Sequence, residues 1–184
     1  MGFEYAEKRS KKLSSVDKAN ILETSRLWRE TVQSMEKDYP DVTVTYELVD
    51  AVAMRLIQWP NSYDVLITSN LFGDILTDEA SVISGSMGLM PSASVGSENA
   101  LYEPIHGSYP EATGKKIANP IASILSLSMM LDYTFNLKKE SEIINRAVEN
   151  SLLDRYTTPD LNKDVRSYST DEVGDYIVDF VKKN

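Results

Sequence analysis

The segment from Asp41 to Ser84 passes twice from strand character to helix character, and that order restricts the possible fold most. "DVTVTYELVD" alternates Val42, Val44, Tyr46 and Leu48, the period-two pattern of a half-buried strand. Asp50 stands at the junction, before the helix-like "AVAMRLIQW". "YDVLITS" reads as a short buried strand and leads straight into the helical "NLFGDILTDEAS". Strand, helix, strand, helix predicts an α/β unit with parallel pairing, because parallel strands need a crossover between them.

The flanking segments extend this plan. "LETSRLWRETVQSMEK" carries Trp28, Val32 and Met35 at helical spacing and is followed by Pro40. After Ser84 the texture changes: "SGSMGLMPSASVGSENA" is rich in glycine and small residues, as expected where a chain crosses between lobes. "HGSYPEATGKKIANP" has almost no apolar residues and predicts an exposed loop. Asn119 followed by Pro120 predicts a helix start, capped by the asparagine side chain. "IASILSLSMMLDY" then predicts a largely buried helix. "SEIINRAVENSLL" and "DEVGDYIVDFVKK" predict two amphipathic helices, the last opened by a capping box from Ser169 to Glu172.

The bulk composition narrows the partners. The 28 acidic residues outnumber the 19 basic ones and give a net charge of −9. Nucleic acid, whose phosphates demand a basic face, is therefore not expected as a partner. The chain has no cysteine, which rules out thiolate metal sites and a cysteine nucleophile and fits a cytoplasmic setting. His106 is the single histidine, so a histidine-rich metal site is ruled out as well. No apolar stretch has membrane-spanning length, and no membrane association is expected. Neither a G-x-G-x-x-G turn nor a P-loop occurs, so any nucleotide must be held in another way.

Asp74 and Asp78 lie four positions apart in a predicted helix, where like charges repel by roughly 0.2–0.5 kcal/mol. With Asp50 they make three carboxylates near strand ends, where α/β proteins place ligands. Such a set suits a hard cation, Mg²⁺ or Mn²⁺. The alternative is that Asp50 caps its helix, Asp74 sits in a first turn favoured by the dipole, and Asp78 is solvated. Lys18, in "SSVDKANIL", can carry a substrate proton if it faces a carboxylate-lined cleft, or can be an exposed partner of Asp17. His106, in "YEPIHGSYP", can stack on a planar ring, with Gly107 and Ser108 offering backbone N–H groups to phosphate, or can be held by Glu103.

Together "SSVDKANILETSRLWRE", "NLFGDILTDEASVISGSMGLMPSAS", "LYEPIHGSYPEATGKKIANP" and "IASILSLSMMLDY" resemble the 3-isopropylmalate dehydrogenases, within the β-decarboxylating dehydrogenases. The resemblance implies a three-layer α/β/α fold of the isopropylmalate/isocitrate dehydrogenase type. Residues 1–85 would supply the second half of the dimerisation and catalytic lobe, and 86–184 that of the NAD-binding lobe. The implied reaction is oxidative decarboxylation of (2R,3S)-3-isopropylmalate to 4-methyl-2-oxopentanoate with reduction of NAD, in leucine biosynthesis. Sister substrates (isocitrate, homoisocitrate, tartrate) and a non-catalytic interaction module are the alternatives.

By the same resemblance Asp74 and Asp78 hold Mg²⁺ or Mn²⁺ together with Asp50 of a second subunit. Lys18 and Asp50 bind substrate, Lys18 assists proton transfer across a homodimer with shared active sites, and Asn20 lies near the nicotinamide. The adenosine end of NAD matches Glu103, His106, Gly107, Ser108, Glu111, Ala112, Gly114, Ile117 and Asn119. Glu111 corresponds to the acid that bonds the ribose hydroxyls, where the family usually has aspartate, and it favours NAD over NADP. Lys116 and Thr113 replace smaller family residues. The leading "GFEYAEKRSKKLSS" matches a family helix, and the resemblance covers only the C-terminal half of family chains. The arginine clamp and catalytic tyrosine belong to the other half, so these residues alone are expected to be inert.

Overall fold

The computed structural model describes residues 1–162 and 166–184. They divide into two compact units, Met1–Ile83 and Ser84–Asn184. In the first unit three parallel strands, β1 (Lys12–Asp17), β2 (Thr43–Leu48) and β3 (Val65–Thr68), pair in the order β2-β1-β3. Helix α1 (Gly2–Glu7) precedes β1, α2 (Glu23–Met35) joins β1 to β2, α3 (Val49–Gln58) joins β2 to β3, and α4 (Asn70–Ser84) follows.

The central strand fixes the layering. Leu13 and Val16 are both buried, and strand alternation sends them to opposite faces. Leu13 packs with Phe3, Ala6, Val32 and Val42, drawn from α1, α2 and the approach to β2. Val16 packs with Val52 of α3 and Leu76 of α4. Helices therefore cover both faces, the arrangement that parallel pairing requires. The alternation of Val42 to Leu48 is thus realised as a strand, and the helix predicted from Asn70 runs on to Ser84.

One expectation is corrected. Only Gly2–Glu7 of "GFEYAEKRSKKLSS" is helical, and Lys12 already begins the central strand. The reversal between them is made at Lys11, whose φ of 62° lies in the left-handed region and ends any helix. Arg9 donates to Asp64 Oδ1, while the Ser10 backbone N–H and hydroxyl donate to Oδ2. These bonds tie the entry of β1 to that of β3. The basic run is thus partly engaged, since Lys11 also pairs with Asp41 at 2.9 Å.

The second unit pairs β4 (Pro91–Val95) with β5 (Ala100–Pro104) as an antiparallel hairpin. It adds three helices, α5 (Ile121–Tyr133), α6 (Lys138–Leu153) and α7 (Thr170–Lys183). Ile121, Ala147, Val148, Val173 and Ile177 form their common core. The Ser169–Glu172 capping box is present, with both reciprocal bonds made. Asn119 Oδ1 accepts from the N–H of Ile121, the first residue of α5, at 3.0 Å, although the cap position itself falls on Pro120, one residue later than predicted. The glycine-rich segment after Ser84 supplies the first strand of the hairpin as well as the start of this unit.

Asp64 gives an acid-stability prediction. Hydrogen bonds from the Ser10 hydroxyl and backbone, and then from Arg9, hold its carboxyl down to about 2, from an ordinary 3.8. A depressed folded-state value contributes stability above the unfolded value, and that contribution is lost as pH falls through the folded one. Denaturant midpoints of the wild type are expected to fall between pH 4 and about 2 by more than those of Asp64→Asn. Parallel curves for the two proteins would refute this.

Candidate functional site

Site residues gather at two places, one in each unit. In the first unit β1 ends at Asp17, whose side chain is only 2% exposed. Arg29 of α2 grips it with two bonds, Nε to Oδ2 at 2.8 Å and Nη2 to Oδ1 at 2.9 Å. The backbone N–H of Ala19 donates to Asp17 Oδ1 at 2.8 Å, so the same carboxylate shapes the turn that follows the strand. That turn presents Lys18 and the exposed Asn20.

Lys18 pairs with Asp50 rather than with Asp17. Its side chain is 20% exposed and that of Asp50 is 64% exposed, so the pair lies at the rim of the carboxyl ends of the sheet. The hydrogen bond from Lys18 is the main cause that holds the Asp50 carboxyl below its ordinary value. Asp50 lies within the first turn of α3, not before the helix, and the cap position is taken by Leu48 without a side-chain bond. Asp50 is therefore held by the lysine and is not a helix cap.

Asp74 and Asp78 are exposed, one helical turn apart on α4. Asp74 falls beyond the first turn, which removes the helix-dipole explanation for it. Asn70 Nδ2 donates to its Oδ1 at 3.4 Å. Among the described residues no three acidic or histidine side chains converge as a metal site within one chain. Two exposed carboxylates one turn apart on α4 are nevertheless oxygen donors of the kind a hard cation takes.

The second unit holds a cleft of about 630 Å³. Of the residues singled out from the sequence, His106, Gly107, Ser108, Ala112, Ile117 and Asn119 line it. Glu103 on β5, Glu111 in the short 3₁₀ turn Pro110–Ala112, and Gly114 are exposed but do not line it. His106 is half-buried, and its Nδ1 lies 2.9 Å from the Gly107 carbonyl oxygen, so Glu103 does not hold it. Lys116 is turned away to pair with Asp171 at the start of α7. Ser86, Gly88 and Asp160 also line the cleft, and sequence patterning pointed to none of them. Thr158-Pro159-Asp160 carries a turn-forming proline but no periodicity that would mark a wall of a cavity.

A family model described as isocitrate/isopropylmalate dehydrogenase matches residues 1–177. The chain belongs to that family. It is 53% identical, over all 184 residues, to 3-isopropylmalate dehydrogenase from Bacteroides fragilis, of which it covers 52%. To the 3-isopropylmalate dehydrogenase of Aquifex aeolicus it is 50% identical, covering 50% of that protein. The chain thus spans about half the length of the curated relatives it matches. Among solved structures, isocitrate dehydrogenase from Methylococcus capsulatus superposes with a TM-score of 0.93 at 41% identity, over 98% of this chain and 54% of that one. A β-decarboxylating dehydrogenase from Thermococcus kodakarensis gives 0.88 at 36% identity, over 99% of this chain and 53% of that one. The family's α/β architecture is the one described above. Among the described residues no helix is long and apolar enough to cross a membrane.

Gly88 tests the packing of the cleft wall. A Cβ built there would stand 2.6 Å from Asn119 Cβ, closer than any real contact. Gly88→Ala is expected to push Asn119 off the Ile121 N–H and cost about 1 kcal/mol, the worth of a helix cap. Urea denaturation measures the difference, and an unchanged midpoint would refute the close fit.

Proposed function

We propose that these 184 residues are the C-terminal half of a cytoplasmic, NAD-dependent 3-isopropylmalate dehydrogenase of leucine biosynthesis. Identity of 53% along the whole chain to an enzyme of that name carries this reading. The 41% identity to an isocitrate dehydrogenase makes a sister substrate the second reading, and the lower figure ranks it second. The first unit would then belong to the dimerisation and catalytic lobe and the second to the NAD-binding lobe.

Asp74 and Asp78 would hold Mg²⁺ or Mn²⁺ with Asp50 of a second copy, since Asp50 does not join them within one chain. A divalent cation there would polarise the substrate hydroxyl and stabilise the enolate left by decarboxylation. Lys18, oriented by Asp50, would accept and return a proton through its Nζ. Met54 and Ile57 on α3, with Leu71, Ile75 and Val82 on α4, are all more than half exposed and suit burial against that second copy. NAD would accept the hydride, its adenosine end seated in the cleft beside His106. Asn20 would face the nicotinamide.

Two measurements on the full-length protein test this reading. Asp78→Asn is expected to keep the fold but lose activity severely, because a hard cation loses an anionic ligand. Unchanged turnover and Mg²⁺ dependence would refute the metal assignment. The kcat/KM values for the two nucleotides are expected to favour NAD, because Glu111, exposed next to the cleft-lining Ala112, would repel a 2′-phosphate and Lys116 is committed to Asp171. Glu111→Lys should narrow the preference, and a wild-type preference for NADP would refute it.

A further inference from the structure

Asp160 lies in a wall of the cleft, and three segments of the second unit converge on it. Ser86 donates to its Oδ2, Asn119 Nδ2 donates to the same oxygen at 3.0 Å, and Thr158, fully buried, donates to Oδ1 at 2.5 Å. Each donor is engaged further on. The Ser86 hydroxyl accepts from the Gly88 N–H at 3.0 Å, fixing the short turn Met87–Leu89. Asn119 uses its own Oδ1 to cap α5. One carboxylate therefore sets two side chains that line the cleft. Burial pushes this carboxyl up, but the bonds from Ser86, Thr158 and Asn119 outweigh it and leave it below the ordinary value.

The charge matters as much as the position. Asp160 Oδ2 receives two donors while Oδ1 receives a third, and an amide, with a single oxygen, cannot offer an acceptor at both positions. An amide nitrogen at that point would face the Asn119 Nδ2, donor against donor. Asn119 could escape by turning over its amide, but its oxygen would then leave the Ile121 N–H. An asparagine at 160 that instead keeps its oxygen toward Ser86 and Asn119 must aim its nitrogen at Thr158, whose hydroxyl then has to accept, and its neutral oxygen holds the two donors more weakly than a carboxylate does.

We propose that Asp160 is a positioning residue for the nucleotide: it holds Ser86 and Asn119 so that the cleft is preformed for the adenosine end of NAD. The inference rests on the assignment of that cleft to NAD. A preformed site does not spend binding energy on ordering its walls, so loosening them weakens binding without touching the chemical step. Asp160 itself need not touch the reacting atoms.

The test uses the full-length protein, with NADH titrated by its fluorescence and steady-state kinetics run in parallel. Asp160→Asn is expected to raise the NADH Kd and the KM for NAD about tenfold, the order of one lost charged hydrogen bond. The kcat at saturating NAD and the KM for 3-isopropylmalate should stay within about twofold, a split that a general loss of stability would not produce. An unchanged Kd in Asp160→Asn would overturn the proposal. If Asp160→Asn fails to fold, Ser86→Ala is read instead. It should raise the NADH Kd about threefold, and no change would overturn the proposal equally. A wild-type protein that does not bind NADH at all would sink the assignment of the cleft, and this proposal with it.

Discussion

The grip of Arg29 on Asp17 is the interaction from which the first unit is built outward. Asp17 is the last residue of the central strand, and an unpaired carboxylate buried there would be prohibitive. Two guanidinium bonds and one backbone N–H satisfy it. The pair gains little net stability over an apolar substitute, but removing either partner strands the other. It also ties α2 to the sheet, and Arg29 extends the contact by lying 5.6 Å from the ring centre of Tyr46 on β2. The turn that carries Lys18 leaves the strand from this anchored point.

The central strand is also what periodicity fails to disclose. "KLSSVD" holds two serines and an aspartate where a buried parallel strand ordinarily shows a run of Val, Ile and Leu. Ser15 is fully buried because its hydroxyl accepts from the Trp28 indole N–H at 3.1 Å. The side-chain partners that satisfy Ser15 and Asp17, Trp28 and Arg29, stand twelve or more positions away, and no local pattern reports that. By contrast β2 and α4 are readable because their alternation and helical spacing respond to a core on one side only. The capping box at Ser169 and the cap at Asn119 are readable for a similar reason, since each bond closes within three residues.

The candidate site divides along the same line. His106, Gly107, Ser108 and Asn119 belong to one continuous stretch, and its composition already marks an unusual loop. Ser86 and Asp160 reach the same cleft from 74 positions apart, and only the folded chain joins them. The pairing of Lys18 with Asp50 likewise spans 32 positions, whereas the neighbouring Asp17 was the simpler choice in the sequence. What resemblance added was the role of each residue, which geometry within a single chain does not by itself define.

Each unit is drawn from one unbroken stretch of chain, Met1–Ile83 and then Ser84–Asn184. That contiguity bears on how the protein is made. All three strands of the first sheet have been synthesised by Thr68, before any residue of the second unit is joined to the chain. The contacts made within Met1–Ile83 can therefore form on the ribosome before any residue of the second unit is present. The second unit closes later, because Ser86 must wait for Asp160 before its contact can form. The partner that covers the buried faces of α3 and α4, the central strand at Val16, is already in the chain when both helices emerge, so covering those faces needs no residue of the second unit.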